Sequence, residues 1–400
     1  MGEREGPLHG VRVVELGNFI AAPTAGRLLA DFGADVVKVE RPGTGDELRR
    51  WRLHGGDTSL LFRALGRNKR SVTLDLRRPE GQRIARELIA RSDVLLENFR
   101  PGTLERWHLG PDDLRELNPD LIVVRVSGYG QTGPYRDRPG FGGVAEAVGG
   151  LRALTGYPGQ PPTRVGVSLA DSVAGLYAVI GALLGLVRRR AGGEVVDVAL
   201  YEGIYSLMES LVPDFDAFGV VREPAGSALP GVAPSNTYPC ADGKYIVISG
   251  NGDAVFQRLM HAIGRPDLAE DPALADNAGR VAHVAALDAA IGAWTATLRQ
   301  EQAEATLIAA SVPCGPILTA EDIMKDPHFQ SRDMLERHPV RLGAEQVTEV
   351  AFPGVVPKLA NNPGRVRSLG PELGEHTDAV LAELDIDADT RGTLRAQGVI

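Results

Sequence analysis

The chain has 400 residues, of which 43% are hydrophobic and 24% are charged, and its formal net charge is −9. This composition indicates a soluble globular protein with room for two domains, and it excludes a disordered chain. The acidic balance argues against a nucleic-acid partner, because phosphate backbones attract a basic face. A small phosphorylated ligand is still compatible, since it needs only a few local arginines.

The N-terminus, MGEREGPLHGVRVVELG, has no long apolar run behind a basic start, so no signal peptide is predicted. Cys240 and Cys314 are the only cysteines and lie in no metal or redox spacing. The eight histidines are scattered without an HExxH pairing, so we expect no metal site. Together these features predict a reduced, cytoplasmic setting.

Strands and helices alternate along the first third of the chain. We predict strands at 11–17, 35–40, 71–76, 94–99 and 121–126, with helices at 23–32 and 79–92. Such alternation predicts a mostly parallel sheet covered by helices, with ligands at the carboxyl ends of the strands. Neither GxGxxG nor GxxxxGK[ST] occurs at these ends, so the usual NAD and ATP sites are not indicated.

Cationic side chains gather near the predicted strand ends, namely Arg41, Lys69, Arg70, Arg77 and Arg106. Any one of them alone is more often a solvated surface group. Their repeated position favours a phosphate-bearing ligand. The Gly- and Pro-rich loop 128–143 that follows has the length of a functional loop.

A long apolar helix is predicted to begin at Asp171. Large apolar side chains recur there at helical spacing with Gly and Ala between them, which predicts a buried, closely packed helix; they are Val173, Leu176, Tyr177, Ile180, Leu184 and Val187. The run is a poor membrane span, which needs roughly 20 apolar residues. Asp171 is then either an N-cap or a nucleophile that the helix start keeps ionised.

The second half of the chain predicts a smaller domain and a return to the large one. The predicted large domain comprises residues 1–215, and a Pro- and Gly-rich linker comprises 216–235. A small α/β domain comprises 226–330, and residues 331–400 return to the large domain. Within these, predicted elements are a helix at 202–212, a hairpin of strands 237–240 and 244–249, helices at 253–263, 279–297 and 300–310, a strand at 347–352, and a helix opened by 373–377.

These landmarks resemble the family III CoA-transferases, the CaiB/BaiF group that includes formyl-CoA transferase and carnitine CoA-transferase. The resemblance covers about residues 7–400 and rests on segments in one order: PLHGVRVVELG, LLADFGADVVKVERPGTGD, RNKRSVTLDLRRPEG, SDVLLENFRPGTLERWHLG, VRVSGYGQTGP, LADSVAGLYAVIGAL, SVPCGPI and LGEHTDAVLAELDI. No one segment is decisive, but the ordered set is highly specific.

The resemblance implies that Asp171 is the catalytic aspartate of a Rossmann-like domain, and that CoA esters are substrates, with no permanently bound cofactor. It also implies a homodimer with interlocked chains. The positions it assigns to CoA contact are Asn18, Phe19, Ile20, Ala21, Arg41, Leu74, Arg77, Asn98, Phe99, Arg106 and Trp107. Arg41, Arg77 and Arg106 are the natural phosphate partners among them.

Transfer chemistry suits an aspartate, because a carboxylate ionised at pH 7 attacks a thioester without a general base. CoA would pass through a mixed anhydride and an aspartyl-CoA thioester to a small acid. Segments such as GFGGVAEAVGGLRALTG resemble members that use dicarboxylates. Asn18 and Ile20 replace the His and Gln of formyl-CoA transferase, which puts its oxalate and formate contacts in doubt.

Two alternatives accompany this interpretation. The α-methylacyl-CoA racemases of the same superfamily carry a second base, a His, where this chain has Phe141. Phenylalanine cannot accept a proton, so the sequence favours transfer over racemisation. A non-enzymatic CoA-binding module is the other alternative. Acid selectivity has only weak candidates in the sequence, namely Ser235, Asn236 and the turn 249–252.

Overall fold

The computed structural model describes residues 6–188, 192–342 and 346–400. The chain divides into two compact units: the first comprises residues through Leu151, Val165–Asp214 and His328–Ile400, and the second comprises Arg152–Arg164 and Phe215–Pro327. The sequence-based division placed 152–164 in the large domain and 216–235 in a linker. The amide of Gly226 donates to the carbonyl of Gly156 at 2.8 Å, and this bond joins the two segments within the second unit.

The strands of the described residues are β1 (Arg12–Glu15), β2 (Asp35–Glu40), β3 (His54–Gly55), β4 (Thr58–Ser59), β5 (Lys69–Thr73), β6 (Val94–Glu97), β7 (Ile122–Ser127), β8 (Glu194–Ala199), β9 (Ser235–Pro239), β10 (Tyr245–Ser249), β11 (Cys314–Pro316), β12 (Leu335–Arg341) and β13 (Val347–Pro353). The α-helices are α1 (Ala21–Asp31), α2 (Leu60–Leu65), α3 (Pro79–Ala90), α4 (Thr103–Arg106), α5 (Pro111–Leu117), α6 (Gly142–Val148), α7 (Leu151–Leu154), α8 (Leu169–Arg188), α9 (Leu200–Tyr205), α10 (Leu211–Phe218), α11 (Asp253–Ala262), α12 (Pro266–Ala269), α13 (Asn277–Ala282), α14 (Val284–Thr295), α15 (Gln300–Ala309), α16 (Ala320–Lys325), α17 (Pro327–Ser331), α18 (Thr377–Glu383) and α19 (Ala388–Ala396).

Six parallel strands form the main sheet of the first unit, in the order β5-β2-β1-β6-β7-β8. The central strands β1, β2, β6 and β7 are rich in valine and leucine and are buried on both faces, as is typical of parallel sheets, whereas most of the edge strand β8 is exposed. From β1 the chain builds outward through β2 to β5, and later strands build the other way from β6. The predicted α/β fold with a mostly parallel sheet is therefore confirmed, and its topological switch point lies between β1 and β6.

The second unit has its own three-stranded antiparallel sheet, in the order β11-β10-β9. Strands β9 and β10 flank the predicted hairpin turn Ala241-Asp242-Gly243. The hydrophobic cluster on this sheet is separate from the core of the first unit and includes Tyr238, Ile246, Ile248 and Phe256. The remaining two-stranded pairs, β3-β4 and β12-β13, belong to the first unit.

Several predicted helices have different bounds in the structure. Helix α1 begins two residues before Pro23, because a proline in the first turn removes no intrahelical hydrogen bond. The predicted helix 279–297 is interrupted at His283, whose Nδ1 pairs with the carbonyl of Gly279 at 2.8 Å. The predicted helix 202–212 is replaced by α9 and α10, and Glu209 between them has a φ of +50°.

Helix α8 packs through its small residues and Val173, whereas the other large apolar residues that the sequence pattern predicts to be buried are exposed. Ala174, Ala178 and Ala182 are fully buried, whereas Ile180 and Leu184 are 50% and 64% exposed. A Cβ on Gly175 would lie 2.8 Å from Thr24 of α1, so glycine is required at this close approach. Sequence periodicity identified the apolar residues but could not tell which side meets the sheet.

Helix α8 is also the one helix of the described residues that is long and apolar enough to cross a membrane. Such a helix is weak evidence of a membrane span, since core helices of globular proteins have the same length and composition. Here its small-residue face packs on α1 and on the sheet at β7 and β8, with Gly185 against Ile122 and Gly181 against Val196. These contacts bury one face of the helix within the first unit and leave the opposite face exposed.

Candidate active site

A cavity of about 190 Å³ lies at the carboxyl ends of the central strands, at the switch point of the sheet. Its walls come from the segments that follow β1, β6 and β7, together with the start of α8. Five of the twelve predicted site residues line it, namely Phe19, Ala21, Asn98, Phe99 and Asp171. A concave site is thus present at the strand ends, and ligand binding there stays a prediction.

Asp171 is the third residue of α8, which begins at Leu169, two residues earlier than predicted. The N-cap interpretation is therefore wrong in position, because Asp171 lies within the first turn. Its carboxylate packs on Gly142, the first residue of α6: a Cβ added to Gly142 would lie 2.1 Å from Oδ2 and 2.8 Å from Cγ. Only glycine leaves room for the carboxylate in this position.

The side chain of Asn98 holds the segment that follows β1. Its Oδ1 accepts from the amide of Asn18 at 2.8 Å, and its Nδ2 donates to the carbonyl of Asn18 at 2.7 Å. Both ends of the amide are thus bonded to one backbone residue. Ile20, two residues after Asn18, is the N-cap of α1, and its side chain packs with Leu48 and Phe62.

Phe19 enters the cavity in an unusual backbone conformation, with a φ of +62°. Its ring centroid lies 5.4 Å from that of Trp51 and 5.8 Å from that of Phe141, in an edge-to-face arrangement with Phe141. Phe19 and Phe141 line the Asp171 cavity, and Trp51 supports Phe19 from outside its lining; these three rings are called the aromatic wall. Phe141, at the position of the racemase histidine, is 62% exposed and has no proton-accepting atom.

A buried ionic cluster lies beneath this segment. Lys38 Nζ contacts Glu15 Oε1 at 2.9 Å and Asp46 Oδ2 at 2.8 Å. Burial disfavours the ammonium, but the carboxylates of Asp46, Glu15 and Glu40 outweigh burial and raise the pKa of Lys38 above its ordinary value. The charge of Lys38 is therefore retained inside the protein.

Lys69 belongs to the same cluster, with its Nζ 2.7 Å from Glu15 Oε2. Burial lowers the pKa of Lys69 to about 8, although Glu15 opposes this effect. The sequence pattern predicts that Lys69 is available to a phosphate-bearing ligand. The structure contradicts this, because Lys69 is buried and paired with Glu15. Arg70 is similarly engaged, with Asp35 and Glu383 both 2.6 Å from its guanidinium.

The other predicted CoA positions differ in what they offer a ligand. Arg41 is exposed directly after β2, and Arg106 is exposed at the end of α4, where it donates to Thr103 Oγ1 at 2.9 Å. The guanidinium of Arg77 donates from Nε and Nη2 to the two carboxylate oxygens of Asp75. Leu74 is only 1% exposed and belongs to the hydrophobic core. Its side chain therefore has no free surface for CoA.

Phe99 and Trp107 form a second aromatic pair, with ring centroids 5.2 Å apart in an edge-to-face arrangement. Phe99 also lines the Asp171 cavity, so the pair connects that cavity with α4. The amide of Phe99 donates to Glu97 Oε2 at 2.8 Å, and Arg125 Nε donates to the other oxygen at 2.8 Å. This bonding holds the end of β6 against β7.

We expect Arg41→Ala and Arg106→Ala to raise the KM for a CoA ester by roughly tenfold and to lower kcat much less, since each removes a charge-assisted contact that is made in the ground state. Initial rates at varied CoA-ester concentration check this. Arg83→Ala, on the surface of α3, is the matched control and should leave KM unchanged. An unchanged KM in both variants would place the phosphates elsewhere.

Sequence reasoning missed three arginines that line the cavity beside Asp171. Arg100 follows β6, and Arg136 and Arg138 come from the loop after β7. The sequence contains a signal that could have found them: Arg136 and Arg138 lie in the predicted functional loop 128–143, and Arg100 lies just after a predicted strand. Arg138 is held by its neighbour, with its Cζ 3.4 Å from the ring centroid of Tyr135.

A second cavity, of about 1260 Å³, is larger but lacks Asp171; residues from 56–63, 338–342 and 367–375 line it, together with Val347. We therefore assign the site by its chemistry rather than by its volume. Across residues 6–188, 192–342 and 346–400, no group of three or more His, Cys, Asp or Glu side chains is arranged to hold a metal ion.

Comparison with known proteins identifies what this arrangement resembles. The sequence pattern of CoA-transferase family III matches residues 8–377. A succinyl-CoA–D-citramalate CoA-transferase of Chloroflexus aurantiacus is 48% identical over 399 residues, which cover 98% of each chain. The beta subunit of a succinyl-CoA–L-malate CoA-transferase from the same organism is 46% identical over 94% of each chain. The crystal structure of a CaiB/BaiF family protein from Brucella suis superposes with a TM-score of 0.83, at 35% identity, over 96% of this chain and 100% of that one.

Proposed function

Because this chain belongs to CoA-transferase family III, we propose that it moves CoA from succinyl-CoA, or a similar acyl-CoA, to a small dicarboxylic acid. The chain is a CoA-transferase, so the proposal concerns the acids and the route. Relatives 48% and 46% identical to it are named for succinyl-CoA, with citramalate or malate as the second acid. The observation that carries the proposal is the Asp171 carboxylate in a cavity at the switch point of the sheet.

In the proposed route Asp171 is the nucleophile. One carboxylate oxygen attacks the donor thioester carbonyl, the C–S bond breaks, and a mixed anhydride and the CoA thiolate result. The thiolate attacks the aspartyl carbonyl, which releases the donor acid and leaves an aspartyl-CoA thioester. The acceptor carboxylate then reverses these two steps and departs as its CoA ester. The exchange of one thioester for another requires no external energy source.

Two features support this route. A carboxylate with an ordinary pKa near 4 is already ionised at neutral pH, so no general base is needed. Each attack forms an oxyanion, and backbone amides at the start of α8 and in the glycine-rich loops are the donors we assign to it. The racemase alternative needs a second base where Phe141 stands, and nothing favours it.

Trapping of the aspartyl intermediate tests the proposal. The protein is incubated with succinyl-CoA, glutaryl-CoA, acetyl-CoA or a 2-methylacyl-CoA, then treated with hydroxylamine or borohydride, and the Asp171 peptide is analysed by mass spectrometry. We expect modification of Asp171 with succinyl-CoA and glutaryl-CoA. In a second assay, malate, citramalate and glutarate are compared as CoA acceptors with the monocarboxylic acids acetate and butyrate.

Either of two results would overturn the proposal. The covalent route is wrong if no ester modifies Asp171 while the protein still binds CoA. The dicarboxylate assignment is wrong if acetate accepts CoA as well as malate does. Loss of optical activity in a 2-methylacyl-CoA, without any transfer, would instead establish racemisation.

We also propose that the working form is a cytoplasmic homodimer with interlocked chains, as the family resemblance implies. The exposed apolar face of α8 supports a protein partner, because monomers rarely leave such a face to solvent; it consists of Leu176, Tyr177, Ile180, Leu183, Leu184 and Val187. One relative is named a beta subunit, so a second, different chain is the alternative partner. Sedimentation of the pure chain decides, and a monomer would contradict the homodimer.

A further inference from the structure

A short turn connects β1 with α1 and brings the Phe19 ring to the Asp171 cavity. We call it the Phe19 turn; it consists of Gly17, Asn18 and Phe19. Phe19 adopts a φ of +62°, a left-handed conformation that is unfavourable for a residue with a Cβ. Such a conformation persists only where surrounding contacts impose it. The contacts that impose it here are therefore part of how the cavity is built.

Asp46 provides the contact at Phe19 itself. Its Oδ1 accepts from the amide of Phe19 at 3.1 Å and from the amide of Leu48 at 2.9 Å. Its Oδ2 pairs with Lys38 Nζ at 2.8 Å, and the carboxylate is fully buried. The ion pair thus fixes the orientation in which Asp46 meets the turn.

Lys38 holds the turn at its other end. The same ammonium that pairs with Asp46 donates to the carbonyl of Gly17 at 2.6 Å. One buried ion pair therefore bonds the carbonyl before Asn18 and the amide after it, while Asn98 bonds the backbone of Asn18 between them. Through these bonds Asp46, Lys38 and Asn98 orient the backbone of the Phe19 turn.

We propose that Asp46 is a positioning residue that keeps the aromatic wall closed over the Asp171 cavity, so that acyl-aspartyl species meet an acid or CoA rather than water. This inference rests on the proposed function. The reaction it suppresses is hydrolysis: water adds to the aspartyl carbonyl of the thioester, the C–S bond breaks, and the Asp171 carboxylate and CoA thiol return. CoA is then released as the free thiol and does not reach the acceptor acid.

The reason is geometric. Phe19 lies between Trp51 and Phe141, with centroid distances of 5.4 and 5.8 Å. If Asp46 no longer accepts from its amide, Phe19 relaxes toward a negative φ and its ring leaves this position. The wall then has a gap beside the cavity, and water exclusion, which protects reactive intermediates, is weakened.

The experiment measures transfer and hydrolysis in the same sample, with succinyl-CoA as donor and L-malate as acceptor. Malyl-CoA formation reports transfer, and CoA thiol release reports hydrolysis. We expect Asp46→Ala and Phe19→Ala each to raise the ratio of hydrolysis to transfer at least tenfold. Because both act through one ring, the double variant should be no leakier than either single variant. Asp46→Asn keeps an acceptor for the Phe19 amide but breaks the ion pair with Lys38, so its ratio should lie between those of the native chain and Asp46→Ala.

Asp31→Asn is the matched control, because Asp31 is an equally buried carboxylate bonded to Arg67 at 2.6 Å. It should lower the melting temperature without changing the ratio. The proposal is overturned if Asp46→Ala behaves like this control, or if its effect adds to that of Phe19→Ala. Should Asp46→Ala fail to fold, Phe19→Ala must still leak, and a native ratio in that variant refutes the proposal. If the native chain neither transfers CoA nor becomes labelled at Asp171, the proposed function is refuted, and the Asp46 proposal that rests on it is refuted as well.

Discussion

Asp171→Asn and Asp171→Ala are expected to lower the rate of CoA transfer by at least about 1000-fold, because no other group can form the covalent intermediate. The asparagine variant is the sharper of the two. It retains the shape that packs on Gly142 but lacks a nucleophilic oxygen that is ionised at neutral pH. Steady-state transfer from succinyl-CoA, measured beside binding of free CoA, gives the effect, and CoA affinity should stay within a few-fold.

Asp112→Asn is the control for this variant. Asp112 is also an acidic residue in the first turn of a helix, α5, but it is exposed. Its replacement should leave transfer unchanged, which shows that loss of a helix-start carboxylate is harmless elsewhere. Activity above a few per cent in Asp171→Asn would remove the nucleophile assignment, since an amide does not support the anhydride route.

Gly142→Ala is expected to lower kcat by roughly 100-fold, because the added methyl group displaces the nucleophile and a misplacement of about 1 Å has effects of this size. The new Cβ would lie 2.1 Å from Asp171 Oδ2, far inside van der Waals contact, so the carboxylate must move. The fold should tolerate the change, because alanine within a helix is favoured over glycine by about 0.5–1 kcal/mol.

Gly166→Ala is the matched control for Gly142→Ala, since a Cβ on Gly166 meets nothing within 4 Å. Transfer kinetics and thermal unfolding are measured on both variants. A lower kcat at native melting temperature in Gly142→Ala would assign the effect to the Asp171 position. If Gly142→Ala transfers CoA at the native rate, the carboxylate does not react from the place it occupies against α6.

Much of the fold could be predicted from the chain alone. The alternation of strands and helices in the first third of the chain predicted a mostly parallel sheet, and the six strands of the main sheet pair in parallel. The Asp171 helix was recognised from its apolar periodicity. These predictions hold because strand burial and helix periodicity are properties of neighbouring residues in sequence.

The side chains around the site were less predictable. Lys69 was grouped with the exposed cations, yet it lies buried on Glu15. Arg138 was not singled out, although it lines the cavity. Charge alone does not tell a phosphate-binding arginine from a buried partner of a carboxylate, because the distinction depends on which strand lies beside it.

The sequence by itself determined the family, the α/β class and the aspartate on which the chemistry is proposed to depend, because each is carried by local patterns and ordered motifs. Only the tertiary structure decided which face of α8 is covered, why a Cβ at residue 142 would displace the Asp171 carboxylate, and how Asp46 and Lys38 hold the Phe19 turn. These features join residues from separate strands and loops. They depend on distances of a few ångströms between side chains that come together only when the sheet is assembled.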